Sequence, residues 1–253
     1  MKKSLLIVFI IFIVGIASYV SVNKIIKKVD DNGNSIANSN NMEEDNNLVV
    51  VPYVDVDESS IFISSTTNLD ILIDISDNNV IANEAEFIII GTIKTIDGVI
   101  NYNPVAKCYT MNATIGRMQV DKILKGNIEE KEVDFLRGGG MITISEYEKS
   151  LTKEQVEYHN INKLTQEEKN SKYVSENVAG NISIEKDKTY LMYLIYSKDY
   201  DRYIITFFEY GLREIDKDTL NSDYKYTMVK NNKTEEFERL ESVLTESVMK
   251  NVE

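Results

Sequence analysis

The chain is short of the residues that most often do chemistry. It holds one cysteine, one histidine and no tryptophan in 253 residues. One thiol and one imidazole cannot assemble a cysteine–histidine zinc site, a disulfide framework or most serine or cysteine catalytic triads. Basic charge is scarce as well, with 28 lysines and arginines against 41 aspartates and glutamates. All five charged residues up to Lys28 are lysines, so the rest of the chain sets 23 basic against 41 acidic side chains. A nucleic-acid partner is not expected, because binding phosphates needs a clustered positive field. What the chain does have is length and apolar content: 43% of it is hydrophobic, enough for one or two packed domains.

Residues 1–28 read as an N-terminal membrane anchor with cationic flanks. Lys2 and Lys3 precede an uncharged stretch, and Lys24, Lys27 and Lys28 close it. A helix from Leu5 to Val22 would be about 27 Å long, close to the hydrocarbon thickness of a bilayer. The competing reading is a cleaved signal peptide with its apolar core at Leu5 to Val14 and small residues at Gly15 and Ala17. The apolar run is longer than a signal core needs, which favours the anchor; a buried helix of a soluble domain lacks a polar face here. Lysines balance on the two sides, so charge alone does not orient the segment. Its N-terminal position, the single cysteine and the lack of a second span in the sequence favour a domain outside the cytoplasm. No cysteine lies near residues 15–25, so a lipid anchor at a lipobox is excluded.

Residues 29–47 follow as an Asn/Asp-rich flexible linker, DDNGNSIANSNNMEEDNN from Asp30. A calcium loop there would need glycine where Ser35 stands, and Gly33 comes too early. Residues 48–82 are partly alternating and β-branched, and predict peripheral strands. From residue 83 to 215 the pattern sharpens. AEFIIIGTIKTI is a buried strand in which Gly91 predicts a bulge or bend. A polar loop with Pro104 and Cys108 follows, then TIGRMQVDKIL and a turn at Lys125-Gly126, then a strand carrying Val133 and Phe135. Gly138, Gly139 and Gly140 lack the lysine and the G-x-G-x-x-G spacing of phosphate loops, and predict a flexible corner.

Residues 145–174 are charged and predict a helical insert, with Ser145 or Thr152 as N-caps and Glu148 or Gln155 completing a capping box. His159 in this insert is expected to be solvated. KTYLMYLIY (188–196) and RYIITFF (202–208) are apolar on both faces and predict a central hairpin, followed by a short strand over Tyr210 to Ile215. In the tail, 216–253, Phe237, Leu240, Val243 or Leu244, and Val248 recur at helical spacing and predict a C-terminal amphipathic helix.

This order of strands, glycines and helical insert over residues 83–215 resembles the TIMP/netrin-like OB-fold module, above all as found in membrane-attached or exported bacterial proteins. The resemblance implies a mainly β (α+β) fold: a five-stranded OB-like Greek-key barrel with a bulged first strand. It does not imply protease inhibition, because metalloproteinase inhibitors reach zinc through an N-terminal cysteine that has no counterpart here.

The expected function is that of a membrane-anchored cell-envelope protein with an extracytoplasmic binding module. Its partners would be the bilayer, through residues 5–22, and a protein, peptide or glycan outside the cell. Asparagine (25) and isoleucine (32) are abundant, as an AT-rich bacterial genome would give. The tyrosines, including Tyr190, Tyr193, Tyr196, Tyr200, Tyr203 and Tyr210, suit a binding surface, but at strand spacing most read as core or barrel rim. Two alternatives are a secreted hydrolase using paired carboxylates, for which Glu209 is the most shielded acid, and a membrane assembly or sensor subunit. No residue is nominated as catalytic, cofactor-binding or metal-ligating, and no cofactor is expected.

Overall fold

A computed structural model describes residues 49–250 apart from 55, 70–71 and 221–223. The anchor at Leu5–Val22 and the linker lie outside the described residues. Among the described residues no helix is long and apolar enough to cross a membrane.

The described chain is mainly β. In order it forms β1 (Val51–Pro52), β2 (Ile61–Thr67), α1 (Asn78–Glu84), β3 (Phe87–Asn103), β4 (Cys108–Lys125), β5 (Glu132–Gly138) and β6 (Gly140–Thr143). Then come α2 (Ile144–Tyr147), α3 (Lys153–Tyr158), α4 (Gln166–Ser171), β7 (Tyr173–Val178), β8 (Thr189–Ser197) and β9 (Arg202–Ile205). The chain continues through α5 (Phe208–Gly211), β10 (Leu212–Glu214), β11 (Met228–Lys230), β12 (Phe237–Arg239), α6 (Leu240–Val243) and α7 (Glu246–Met249).

Five strands pair in a closed circuit. β3 pairs with β4, β4 with β5, β5 in parallel with β9, β9 with β8, and β8 returns to β3 through Phe87↔Leu194 to Thr92↔Thr189. The closure explains why β8 is apolar on both faces, since alternate residues of a strand point to opposite sides. Tyr190, Met192 and Leu194 pack inside with Ile89, Ile93, Met118 and Phe135. Leu191 and Tyr193 face outward with Ile88 and Ile90, where α1 and the C-terminal segments cover them through Ile81, Leu240 and Val243. The β3–β4 ladder shifts register five times, and one shift falls between Ile90 and Gly91. Such bulges coil a long hairpin enough to close on itself. At Gly91 a side chain has no room: a Cβ would lie 2.8 Å from the Gln119 carbonyl oxygen.

A second, three-stranded sheet runs β2-β7-β6, with β2 parallel to β7. Its core is Ile144, Ile161 and Val174, flanked by Ile63, Tyr147 and Leu164. The helical insert is therefore three short helices plus two strands, completed by a strand from far upstream. Thr152 and Gln155 form the expected capping box on α3. A second box, Thr165 with Glu168, starts α4, and Thr143 rather than Ser145 caps α2.

Four expectations are corrected. Cys108 does not sit in a loop: it opens β4, because the β3–β4 hairpin runs on to a tight turn in which Asn103 Oδ1 accepts from the amides of Val105 (2.9 Å) and Ala106 (2.8 Å). Residues 78–82, grouped with the peripheral strands, belong instead to helix α1, capped by Asp77 and closed by Lys125, whose Nζ donates to the carbonyls of Ala82 (2.6 Å) and Ala85 (2.6 Å). The triglycine is pinned rather than flexible: the Gly139 amide donates to the Asn112 carbonyl (2.7 Å) and its own carbonyl accepts from Thr114 N (2.9 Å). With φ of +98°, Gly139 passes the chain from the barrel to the second sheet through a conformation that favours glycine. The single C-terminal amphipathic helix is replaced by β12, α6 and α7, with Leu244 and Thr245 extended between the two helical turns.

Candidate functional site

The residue that sequence reading passed over is Arg137. Strand β5 alternates, so Val133, Phe135 and Arg137 share its inward face; Val133 and Phe135 join the barrel core. Arg137 follows them inward with 3% of its surface exposed. Neither Nη1 nor Nη2 has a hydrogen-bond partner. Burial lowers its pKa from 12.5 to about 10, with only the Tyr190 phenol acting the other way. The guanidinium is thus charged at neutral pH, desolvated and uncompensated, a costly state for a buried ion.

Two other shielded arginines provide the contrast. Arg213 meets the Glu238 carboxylate at 2.8 Å and donates from Nε to the Tyr210 carbonyl. Arg202 stands 2.9 Å from the Asp134 carboxylate, so its charge is compensated although its Nε and Nη1 make no hydrogen bond.

Arg137 lies in the wall of a cleft of about 250 Å³, where the end of the barrel meets the second sheet. The triglycine corner forms one side. Ser175 and Asn177 of β7 form another, and Pro52, Tyr53, Val54 and Val56 with Asn181–Ile184 complete it. Among the described lining residues Arg137 is the only arginine or lysine, and none is an aspartate or glutamate.

The segment over this end of the barrel is tied down at both ends. Asn181 Nδ2 donates to the Gly138 carbonyl at 2.8 Å, and the Glu185 amide donates to the Tyr190 hydroxyl at 3.1 Å. Ile182 and Ile184 between them pack onto the barrel core. Lys188 then bridges Glu185 (2.8 Å) and Glu214 (3.1 Å), and these hydrogen bonds raise its pKa above the usual lysine value.

The residues singled out from sequence are dispersed. His159 ends α3, half-buried and edge-on to Tyr158, whereas Cys108 opens β4. Glu209, in α5, is 3.8 Å from Lys233, which also stands over the Tyr210 ring. Tyr190 and Tyr193 are core, and burial pushes the Tyr193 phenol up to about 12. Tyr196 and Tyr203 stack edge-on at the barrel rim. Of these, only the glycines read from sequence as a flexible corner without a phosphate site belong to the cleft. Among the described residues no group of three or more histidine, cysteine or acidic side chains is placed to hold a metal ion. No family model and no curated protein matches this chain.

Proposed function

We propose that this chain is a membrane-anchored binding module: an OB-like barrel carried outside the cytoplasm on Leu5–Val22, taking its ligand at the Arg137 cleft. The barrel reading is supported by the circuit β3-β4-β5-β9-β8, with the helix-bearing insert between the third and fourth barrel strands. The narrower likeness to TIMP/netrin-like modules rests on the sequence pattern. The observation that carries the binding reading is the unpartnered Nη1 and Nη2 of Arg137 in a cleft whose other described lining residues are neutral. A paired-acid hydrolase would need two converging carboxylates, and this cleft offers a donor instead.

Location and site are tested together in intact cells. Protease added from outside should shave the domain from the membrane; protection until lysis would refute the orientation, and release of a soluble form would refute the anchor. A photoreactive benzoylphenylalanine in place of Tyr53, 52% exposed at the cleft, should form a discrete adduct. The same group in place of Tyr158, 81% exposed on the insert, should not. Adducts at Tyr158 and none at Tyr53 would move the site elsewhere.

A further inference from the structure

An uncompensated buried cation costs stability that a group of opposite charge would recover, and Arg137 restricts what that group can be. Its two Nη atoms are the paired tips of a planar fork, and both lack partners. A fork of this kind matches the two oxygens of a carboxylate. Among the described residues no second cation lines the cleft, so the charge balance suits a monoanion better than a phosphate dianion. About half of the wall is apolar, with Val54, Val56, Ile96, Val99 and Met141 among it, and Thr114, Ser175 and Asn177 bring polar groups to the rest. The space of about 250 Å³ is at the small end for ligand cavities.

We infer that the cleft binds a carboxylate carried on a small apolar body, gripped end-on by the Arg137 guanidinium, an inference that rests on the cleft being the binding site. The strands β5 and β7 fix the fork and the floor. Shielding from bulk water strengthens the contact once the acid is in place. The carboxylate can belong to a free organic acid or to the C-terminus of a peptide chain, since both present the same group on an apolar stem.

The test is calorimetric titration of the full-length chain in detergent with hexanoate and with hexanamide, its uncharged analogue. Hexanoate should bind saturably, one per chain, and hexanamide should not. Arg137→Met should weaken hexanoate by roughly 10- to 100-fold, the range of a charge-assisted hydrogen-bonded pair. It should also melt at or above the wild-type temperature, because it removes an unpaired buried charge. Arg137→Lys keeps the charge without the fork, and should bind hexanoate more weakly than wild type while still preferring it to hexanamide. The acid–amide comparison needs no variant, so it decides even if Arg137→Met fails to fold.

N-acetyl-leucine binding more tightly than hexanoate assigns the carboxylate to a chain terminus; the reverse order assigns it to a free acid. Equal binding of hexanoate and hexanamide would overturn the role of Arg137 and leave the cleft standing as a site. Inorganic phosphate displacing hexanoate with higher affinity would overturn the carboxylate assignment. Failure of every probe to bind would overturn the inference, while the Tyr53 adduct would still decide the cleft.

Discussion

At the scale of single residues, the fold tolerates one unpaired buried cation and spends its ion pairs elsewhere. Because the folded state lowers the Arg137 pKa from 12.5 to about 10, the native chain holds that proton less tightly than the unfolded chain. The penalty is therefore in full force below about pH 10 and lifts only between there and 12.5, so no pH change near neutrality relieves it. Lys188 has the opposite sign. Its pKa is raised by Glu185 and Glu214, so its contribution is complete below the ordinary lysine value of 10.5 and is lost only as pH climbs through the raised one. Lys188→Met should cost about 0.5 to 1 kcal/mol, equally at pH 6 and pH 9 and less in high salt, by urea titration. A cost that differs between those two pH values would show that the bridges do not hold in solution. Gly91→Val should cost on the order of 1 to 3 kcal/mol, because its Cβ would press on the Gln119 carbonyl. An unchanged urea midpoint would mean that the ladder shifts to make room.

At the scale of elements, the strands were legible where their pattern was redundant. β3, β8 and β9 carry continuous apolar runs, and the bulge beside Gly91 announced itself by one glycine among β-branched residues. The C-terminal helix failed for an instructive reason. Leu240, Val243, Leu244 and Val248 are all buried as their spacing implied, yet two separate helical turns bury them as well as one continuous helix would. Periodicity reports which residues face the core, and it cannot report the break at Leu244 and Thr245. Phe237 separates the two arrangements, being 45% exposed in a strand rather than packed on a helix face. Leu240→Ala should therefore cost about 2 to 5 kcal/mol, and Phe237→Ser within about 0.5 kcal/mol, by thermal or urea unfolding. A large loss at Phe237 would favour the continuous helix. Arg137 was also within reach of the sequence: Val133, Phe135 and Arg137 alternate, and a charge continuing an inward-facing row marks a buried ion. Its lack of a partner was not, because that depends on β7 and on Asn181–Ile184, which meet it only in the fold.

At the scale of the whole molecule, the second sheet draws one strand from upstream of the barrel and two from the insert within it. Ile61↔Tyr173 and Thr67↔Val178 tie the upstream segment to the insert, a pairing no local pattern could show. Ile63 packs into the insert's own small core with Ile144, Ile161 and Val174. Ile63→Asp should remove hydrogen-exchange protection from residues 140–178 and leave β3 and β8 protected, the behaviour of a separable cooperative unit. Loss of protection across both would mean that barrel and insert unfold as one. The same parallel pairing sets an order of events during synthesis. β2 emerges roughly 110 residues before its partner β7. At about 5 to 20 residues per second it waits on the order of 5 to 20 seconds with its backbone unmatched. The last-made half of the insert thus completes the first-made strand, and a chain stalled between them carries an open edge ready to pair with its neighbour's.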